Sequence, residues 1–73
     1  MQQDIDILFG QHLKKLREKQ HKSVNMFSYE NDLTPATVSR IENGLISPRL
    51  KTLQKIAAAL DISLNELFRN FNY

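Results

Sequence analysis

The residues of this 73-residue chain whose types and spacing could perform chemistry lie in one stretch, TPATVSRIENG, from Thr34 to Gly44. Arg40 carries a guanidinium group, which can donate two parallel hydrogen bonds to a guanine or to a phosphate. Its neighbours are small and include the hydroxyl groups of Thr37 and Ser39. The sequence shows neither a nucleophile paired with a base nor a phosphate-binding loop, so we expect a binding protein and not an enzyme.

Other kinds of site are not expected. The chain has no cysteine, and neither His12 nor His21 has a second ligand at metal spacing. No apolar run approaches the roughly 20 residues of a membrane span, and the N-terminal MQQDIDILFG lacks the basic-then-apolar order of a signal peptide. We therefore expect a cytoplasmic protein with no metal, no cofactor, no membrane contact and no small-molecule substrate.

Positive charge is concentrated in the middle of the chain. The formal net charge is +2, but residues 14–55 contain nine of the ten Lys and Arg residues against four acidic ones. Such a region could attract a polyanion, although most basic runs are simply solvated surfaces. Charge alone leaves both interpretations open.

The spacing of apolar residues predicts an all-α fold in a single domain, residues 1–73. Apolar residues recur every three or four positions, without the strict alternation of strands. The expected helices are about 4–20, 24–30, 34–43, 50–60 and 63–71. Their expected inward faces hold Ile5, Leu8, Phe9, Leu13, Leu16, Val24, Phe27, Leu50, Leu53, Ile56, Ala57, Leu60, Leu64, Leu67, Phe68 and Phe71, with Tyr29 as a further candidate.

The third helix has clear signals at both ends and a slim outer face. Thr34 can cap its N-terminus, Pro35 suits its first position, and Gly44 suits a left-handed stop. At about 100° per residue, Val38 and Ile41 define its buried side. The opposite side holds Ala36, Ser39, Arg40 and Asn43, which would let the helix approach another surface closely.

A helix pair with a tight turn, about residues 23–43, predicts a helix-turn-helix whose second helix enters the DNA major groove. There Arg40 could bind guanine or a phosphate, and Ala36 and the Thr37 methyl group could contact a thymine methyl group. Ser39 could bond a base edge or a phosphate, whereas Pro35 offers only apolar contact. Because this face has few hydrogen-bonding groups, DNA shape is expected to contribute to specificity. Further expected phosphate contacts are Asn43, Arg49 and Lys51.

The segments LKKLREKQ, VSRIENG and SPRLKTLQKIAAALDISLNELF closely resemble the phage-repressor-like (XRE-type) helix-turn-helix regulators. The resemblance implies their compact five-helix domain, with Pro35, Ala36 and Arg40 at base-contacting positions and Thr37 and Ser39 beside them. It also implies a phosphate contact at Ser23 and Val24, and an ion pair between Arg17 and Glu42 that joins the first helix to the third.

The chain departs from the family pattern at three positions. Val24 replaces the usual Gln, so a phosphate contact there would use the backbone N–H group. Asp32 replaces the usual Gly in the turn, and Asp tolerates a left-handed conformation better than most residues. Ser28 replaces a small residue, usually Ala, and still permits close helix packing.

The C-terminal aromatic residues exceed what a short last helix needs to cover a small core. One interpretation is that Phe68 completes the core. The other is a self-complementary dimer surface, with interface residues Leu67, Phe68, Phe71 and Tyr73. A two-fold dimer would place two recognition helices about 34 Å apart on one face of double-stranded DNA.

Two functions follow, from different classes. The first is a sequence-specific DNA-binding transcriptional regulator that acts as a homodimer on a palindromic operator. The alternative is a protein-interaction module, or an antitoxin-like partner, that uses the same fold. The apolar residues Val24, Pro35 and Ala36 favour this alternative, because they reduce the polarity of the expected DNA-contacting face.

Overall fold

The part of the chain that the structure describes folds into five helices. The structure, a computed structural model, describes residues 4–29 and 31–73. Its helices are α1 (Ile5–Lys19), α2 (Val24–Tyr29), α3 (Pro35–Glu42), α4 (Leu50–Ala59) and α5 (Leu64–Leu67). These residues contain no strand, and the predicted all-α fold is confirmed. Glu30, the expected end of the second helix, lies outside the described residues. No helix in the described part of the chain is long and apolar enough to cross a membrane.

Short polar side chains mark where helices begin. The Asp4 carboxylate caps α1 by accepting a hydrogen bond from the Asp6 N–H group at 2.7 Å. At the start of α5, the Ser63 hydroxyl accepts from the Glu66 N–H group at 3.1 Å, and a Glu66 carboxylate oxygen accepts from the Ser63 N–H group at 3.2 Å. This reciprocal pair is a capping box, which satisfies two N–H groups at the start of the helix.

The last helix is shorter than expected. The predicted range 63–71 is wrong at its C-terminal end, because α5 stops at Leu67. Asn70 has a left-handed φ of 65°, which a right-handed helix cannot continue through. The chain then turns back, and the ring of Phe71 lies 6.0 Å from the ring of Phe9 on α1.

The core is built from the apolar sides of all five helices. Its fully buried large apolar side chains are Leu13, Phe27, Val38, Ile41, Ile56, Leu60 and Leu67. Four residues expected to face inward are exposed: Leu50 is 73% exposed, Ile5 is 46% exposed, Phe68 is 39% exposed and Leu64 is 37% exposed. Leu50, Ile5 and Leu64 each lie in the first turn of a helix. Tyr29 is likewise exposed.

Glycine allows α1 to approach α3 closely. A Cβ atom added at Gly10 would meet the carbonyl oxygen of Ile41 and lie 2.7 Å from that of Glu42. Just after α3, Gly44 adopts the left-handed conformation that the sequence predicts, with φ 71°, and ends the helix. It also packs against Ile7. Both contacts hold the C-terminal end of α3 against α1.

The end of α2 and the turn before α3 accommodate Ser28 and Asp32, two residues that depart from the family pattern. Asp32 adopts the left-handed conformation with φ 57°, and the Leu33 N–H group donates to the Ser28 carbonyl at 3.0 Å. Ser28 is fully buried, and its hydroxyl donates to the Val24 carbonyl at 2.6 Å. Lys55 Nζ lies 3.6 Å from an Asp32 carboxylate oxygen. That exposed pair adds little stability, but it partly neutralises the acidic turn.

Candidate nucleic-acid interface

Helix α3 has one side in the core and one side in solvent. Val38 and Ile41 are 0% and 1% exposed, and they anchor the helix. Ala36, Ser39 and Arg40 are exposed on the other side. The exposed side chains are small apart from Arg40, so this surface could approach a groove closely.

The side chains of Thr34 and Thr37 at the start of α3 bond to each other. The Thr34 hydroxyl accepts from the Thr37 N–H group at 3.1 Å and donates to the Thr37 hydroxyl oxygen at 2.8 Å. The two threonine hydroxyl groups therefore bond to each other. Pro35 is half-buried and Ala36 is exposed, and neither has a polar side-chain atom. The first turn thus presents a largely apolar surface.

The second half of α3 contains one uncommitted cation. The Asn43 side-chain amide donates to the Ser39 carbonyl at 2.8 Å, and its nitrogen lies 3.4 Å from the Ser39 hydroxyl oxygen. Asn43 would have to release these bonds to donate to a phosphate. The Arg40 side chain forms no hydrogen bond and no ion pair with any residue in ranges 4–29 and 31–73. Its guanidinium group is therefore available to an external acceptor.

A buried ion pair holds α3 in place. Arg17 Nε lies 2.7 Å from one Glu42 carboxylate oxygen, and Arg17 Nη2 lies 2.9 Å from the other. A third guanidinium nitrogen donates to the Lys22 carbonyl at 2.7 Å. The hydrogen bond with Glu42 raises the pKa of Arg17. Glu42 therefore positions the helix and does not present a free negative charge.

The expected phosphate contacts lie mainly at helix N-termini. The exposed Ser23 hydroxyl accepts from the Met26 N–H group at 3.1 Å and so caps α2. Val24 is half-buried and packs against the core, so a phosphate contact there would use its backbone N–H group. Arg49 and Lys51 are exposed at the start of α4, and the Arg49 side chain makes no capping bond there.

The four C-terminal residues expected at a dimer interface differ in their exposure to solvent. Leu67 is 0% exposed, so the expectation that it belongs to a dimer interface is wrong; it completes the core of its own chain. Phe68 is 39% exposed, and its ring lies 5.6 Å from that of Phe9. Phe71 is half-buried against Phe9 and His12, whereas Tyr73 is exposed.

Leu50 and Leu64 form an exposed apolar surface that sequence reasoning missed. Together with Lys51 and Gln54 they line a shallow depression between α4 and α5. Leu53 and Phe68 line a neighbouring groove, whose other residues are Ile5, Asp6, Phe9, Ser47, Pro48 and Phe71. We call Leu50, Leu53, Leu64 and Phe68 the α4–α5 face. The signal in the sequence was the apolar stripe of α4, which is longer than a four-residue α5 can cover.

Known proteins share both the sequence pattern and the fold. The HTH_3 (helix-turn-helix) family profile matches residues 13–67. Control protein C.MunI of Mycoplasma sp is 48% identical over 66 residues, which cover 89% of this chain and 89% of C.MunI. The transcriptional repressor RghR of Bacillus subtilis (strain 168) is 36% identical, over 89% of this chain but only 49% of RghR.

A solved structure supports the same assignment. The restriction-modification controller protein C.AhdI from Aeromonas hydrophila superimposes with a TM-score of 0.82 at 33% identity. The match covers 86% of this chain and 91% of C.AhdI. The chain therefore belongs to the HTH_3, or XRE-type, family of helix-turn-helix transcriptional regulators and controller proteins.

Proposed function

We propose that this protein is a transcriptional regulator that binds a palindromic DNA operator as a homodimer. Helix α3 enters the major groove, and its first turn and Arg40 contact base edges, as in other helix-turn-helix proteins. Ser23, Val24, Arg49 and Lys51 contact the phosphate backbone and set the orientation of the protein on the duplex. The protein acts in the cytoplasm.

One observation carries this proposal. The exposed side of α3 carries short side chains and one guanidinium group that has no partner among the described residues. The Arg17–Glu42 pair holds α3 itself in a fixed position. A surface that must fit a groove of fixed width benefits from short side chains and a fixed position. An ordinary solvated helix has no need of either feature.

The α4–α5 face supports the homodimer. Leu50 belongs to the apolar stripe of α4, yet its side chain is exposed to solvent. A two-fold contact buries the same patch on both subunits, so a single apolar face is sufficient. This interface shares Phe68 with the C-terminal one that the sequence suggests and leaves out Leu67, which is fully buried.

The relatives favour a controller among the regulators. C.MunI is named a control protein and C.AhdI a restriction-modification controller protein, and this chain spans most of the length of each. It spans only 49% of the repressor RghR. We therefore propose that the protein controls the expression of restriction-modification genes.

A selection experiment tests the operator and the dimer together. Purified protein is mixed with a random pool of duplexes, and bound DNA is amplified and sequenced. We expect an enriched palindrome with half-sites about one helical turn apart. Binding to it should weaken steeply as salt increases, because phosphate contacts release counterions.

The alternative function, a protein-interaction module, is favoured by one observation. Leu45 follows the C-terminal end of α3 and is 72% exposed, so apolar side chains are exposed near both ends of this helix. If no sequence is enriched and only weak, salt-sensitive DNA binding remains, the operator proposal fails and a protein partner for this surface becomes the better conclusion.

A further inference from the structure

The connection between α1 and α2, residues 20–22, is hydrogen-bonded to the C-terminal end of α4. The Gln20 side-chain amide donates to the Leu60 carbonyl at 2.8 Å, and the Lys22 ammonium group donates to the Ala59 carbonyl at 3.1 Å. The last carbonyl groups of a helix have no partner within that helix, so donors from another element satisfy them. A cation is also favourable at the negative end of the helix dipole. Both bonds therefore hold the end of α4 against this connection.

The same connection is tied to α3. The Arg17 guanidinium group donates to the Lys22 carbonyl at 2.7 Å and to both carboxylate oxygens of Glu42, the last residue of α3. His21 has a left-handed φ of 58°, so the chain turns sharply between these anchored residues. A continuous series of hydrogen bonds therefore runs from the end of α3, through Arg17 and Lys22, to the end of α4.

The two helices joined in this way have different tasks in the proposed function. Helix α3 enters the major groove, whereas α4 carries Leu50 and Leu53 of the α4–α5 face. In a two-fold dimer, the angle between α3 and α4 therefore sets the distance and the rotation between the two α3 helices. Apolar contacts in the core hold helices together without regard to direction, but hydrogen bonds are directional. The bonded connection is thus suited to fix that angle.

We propose that Gln20 and Lys22 are positioning residues that fix α4 relative to α3 and so restrict the protein to one spacing between operator half-sites. One base pair more or less between the half-sites shifts one of them by about 3.4 Å and rotates it by about 35° around the duplex axis. The dimer can follow that change only if α4 moves relative to α3 or if the DNA deforms. The bonds at the end of α4 oppose the first movement. This inference rests on the proposed function, since it needs a dimer on a palindrome.

A spacing series tests the inference. Duplexes carry two copies of the selected half-site, separated by the selected spacer or by one that is a base pair longer or shorter. Gln20→Leu removes one bond and changes no charge, so it leaves the electrostatic attraction to DNA intact. We expect the ratio of the dissociation constants, changed spacer over selected spacer, to fall at least about threefold in this variant, which is the effect of one hydrogen bond on an equilibrium.

The ratio distinguishes positioning from a general loss of stability. Both duplexes are bound by the same protein, so a smaller folded fraction weakens the two affinities equally and cancels in the ratio. A residue with a merely structural role would therefore leave the ratio unchanged. The base preference within each half-site should also remain that of the wild type.

Lys22→Met tests the second bond, because it removes the ammonium group and keeps the aliphatic part of the side chain. It should lower the same ratio, and Lys22→Arg, which keeps a cationic donor, should restore most of it. Lys19→Met and Gln11→Leu are the matched controls, since both exposed side chains lie on α1. Each control should keep the wild-type ratio.

The outcomes separate the inference from the proposed function. If the palindrome is selected but Gln20→Leu and Lys22→Met keep the wild-type ratio, or if the controls lower it as much, the inference is overturned and the regulator stands. A wild-type protein that binds all three spacings equally also overturns the inference alone. A protein that enriches no palindrome overturns the proposed function itself, and the inference with it.

Discussion

Among single residues, Arg40 is the exposed cation that α3 presents to an external acceptor. It is exposed, and no residue within the described ranges pairs with it. If the Arg40 guanidinium group binds guanine, we expect Arg40→Ala to weaken operator binding by about 1–3 kcal/mol and to relax specificity at one base position. Binding to the operator and to its single-base variants measures both effects.

Lys14→Ala is the matched control for Arg40, since it also removes one exposed positive charge but lies on α1. It should leave the base preference unchanged. If Arg40→Ala instead weakens binding to all sequences equally and reduces the salt slope by about one, Arg40 contacts a phosphate.

The Arg17–Glu42 pair is the second residue-scale feature with a measurable consequence. Both side chains are almost completely buried, so Arg17→Ala leaves a carboxylate without a partner. We expect a loss of about 3–5 kcal/mol in the free energy of unfolding, measured by urea denaturation. Since the Arg17 pKa is raised above its ordinary, already alkaline value, Arg17 keeps the positive charge that the pair needs until the pH rises through the raised value.

The double variant Arg17→Met with Glu42→Leu is the control for that prediction. It removes both charges and keeps apolar volume, so much of the lost stability should return. A double variant no more stable than Arg17→Ala would show that the shape of the pair matters more than its charges.

At the scale of elements, the contact between α1 and α3 depends on the absence of a side chain at Gly10. A Cβ atom there would collide with backbone carbonyl oxygens of Ile41 and Glu42, which cannot move aside as a flexible side chain can. We expect Gly10→Ala to lower the free energy of unfolding by about 1–3 kcal/mol, as overpacking does, although Ala favours helix. Thermal or urea unfolding measures the change.

Gln11→Ala provides the comparison on the same helix. Gln11 is exposed, so the substitution adds no contact and should leave stability nearly unchanged. A Gly10→Ala variant as stable as Gln11→Ala would mean that α1 and α3 adjust to each other without cost, and that Gly10 does not fix their separation.

For the whole molecule, the α4–α5 face is the surface on which the proposed dimer depends. We expect Leu50→Ser to raise the dimer dissociation constant at least about tenfold, because burial of a leucine contributes about 1.5–3 kcal/mol and the face occurs twice in the dimer. The folded monomer should keep its stability, because Leu50 is 73% exposed within one chain. Sedimentation equilibrium measures the dissociation constant.

Tyr29→Ser is the matched control for the dimer. Tyr29 is 74% exposed and apolar but lies on α2, away from the α4–α5 face. It should leave the dimer unchanged. If Leu50→Ser and Tyr29→Ser sediment alike, the two chains meet elsewhere or do not meet.

Much of the fold was predictable because its signals are local. The cap at Thr34, the stop at Gly44, and the spacing of the buried pair Val38 and Ile41 on α3 all depend on residues within one or two turns of each other. Hydrogen bonds and dihedral preferences over such distances need no tertiary context. The exposed side of α3 followed from this pattern, and so did the positions of Ala36, Ser39 and Arg40.

The sequence by itself thus determined which segments form helices and which side of α3 is free, whereas the tertiary structure decided how far each apolar stripe is covered. Periodicity shows the direction in which a side chain points, but burial depends on what packs above it. Leu50 and Leu67 belong to similar stripes, yet one is open to solvent and the other is enclosed. The early end of α5 and the return of Phe71 to Phe9 make that difference, because they place the last residues over α1 and leave the first turn of α4 uncovered.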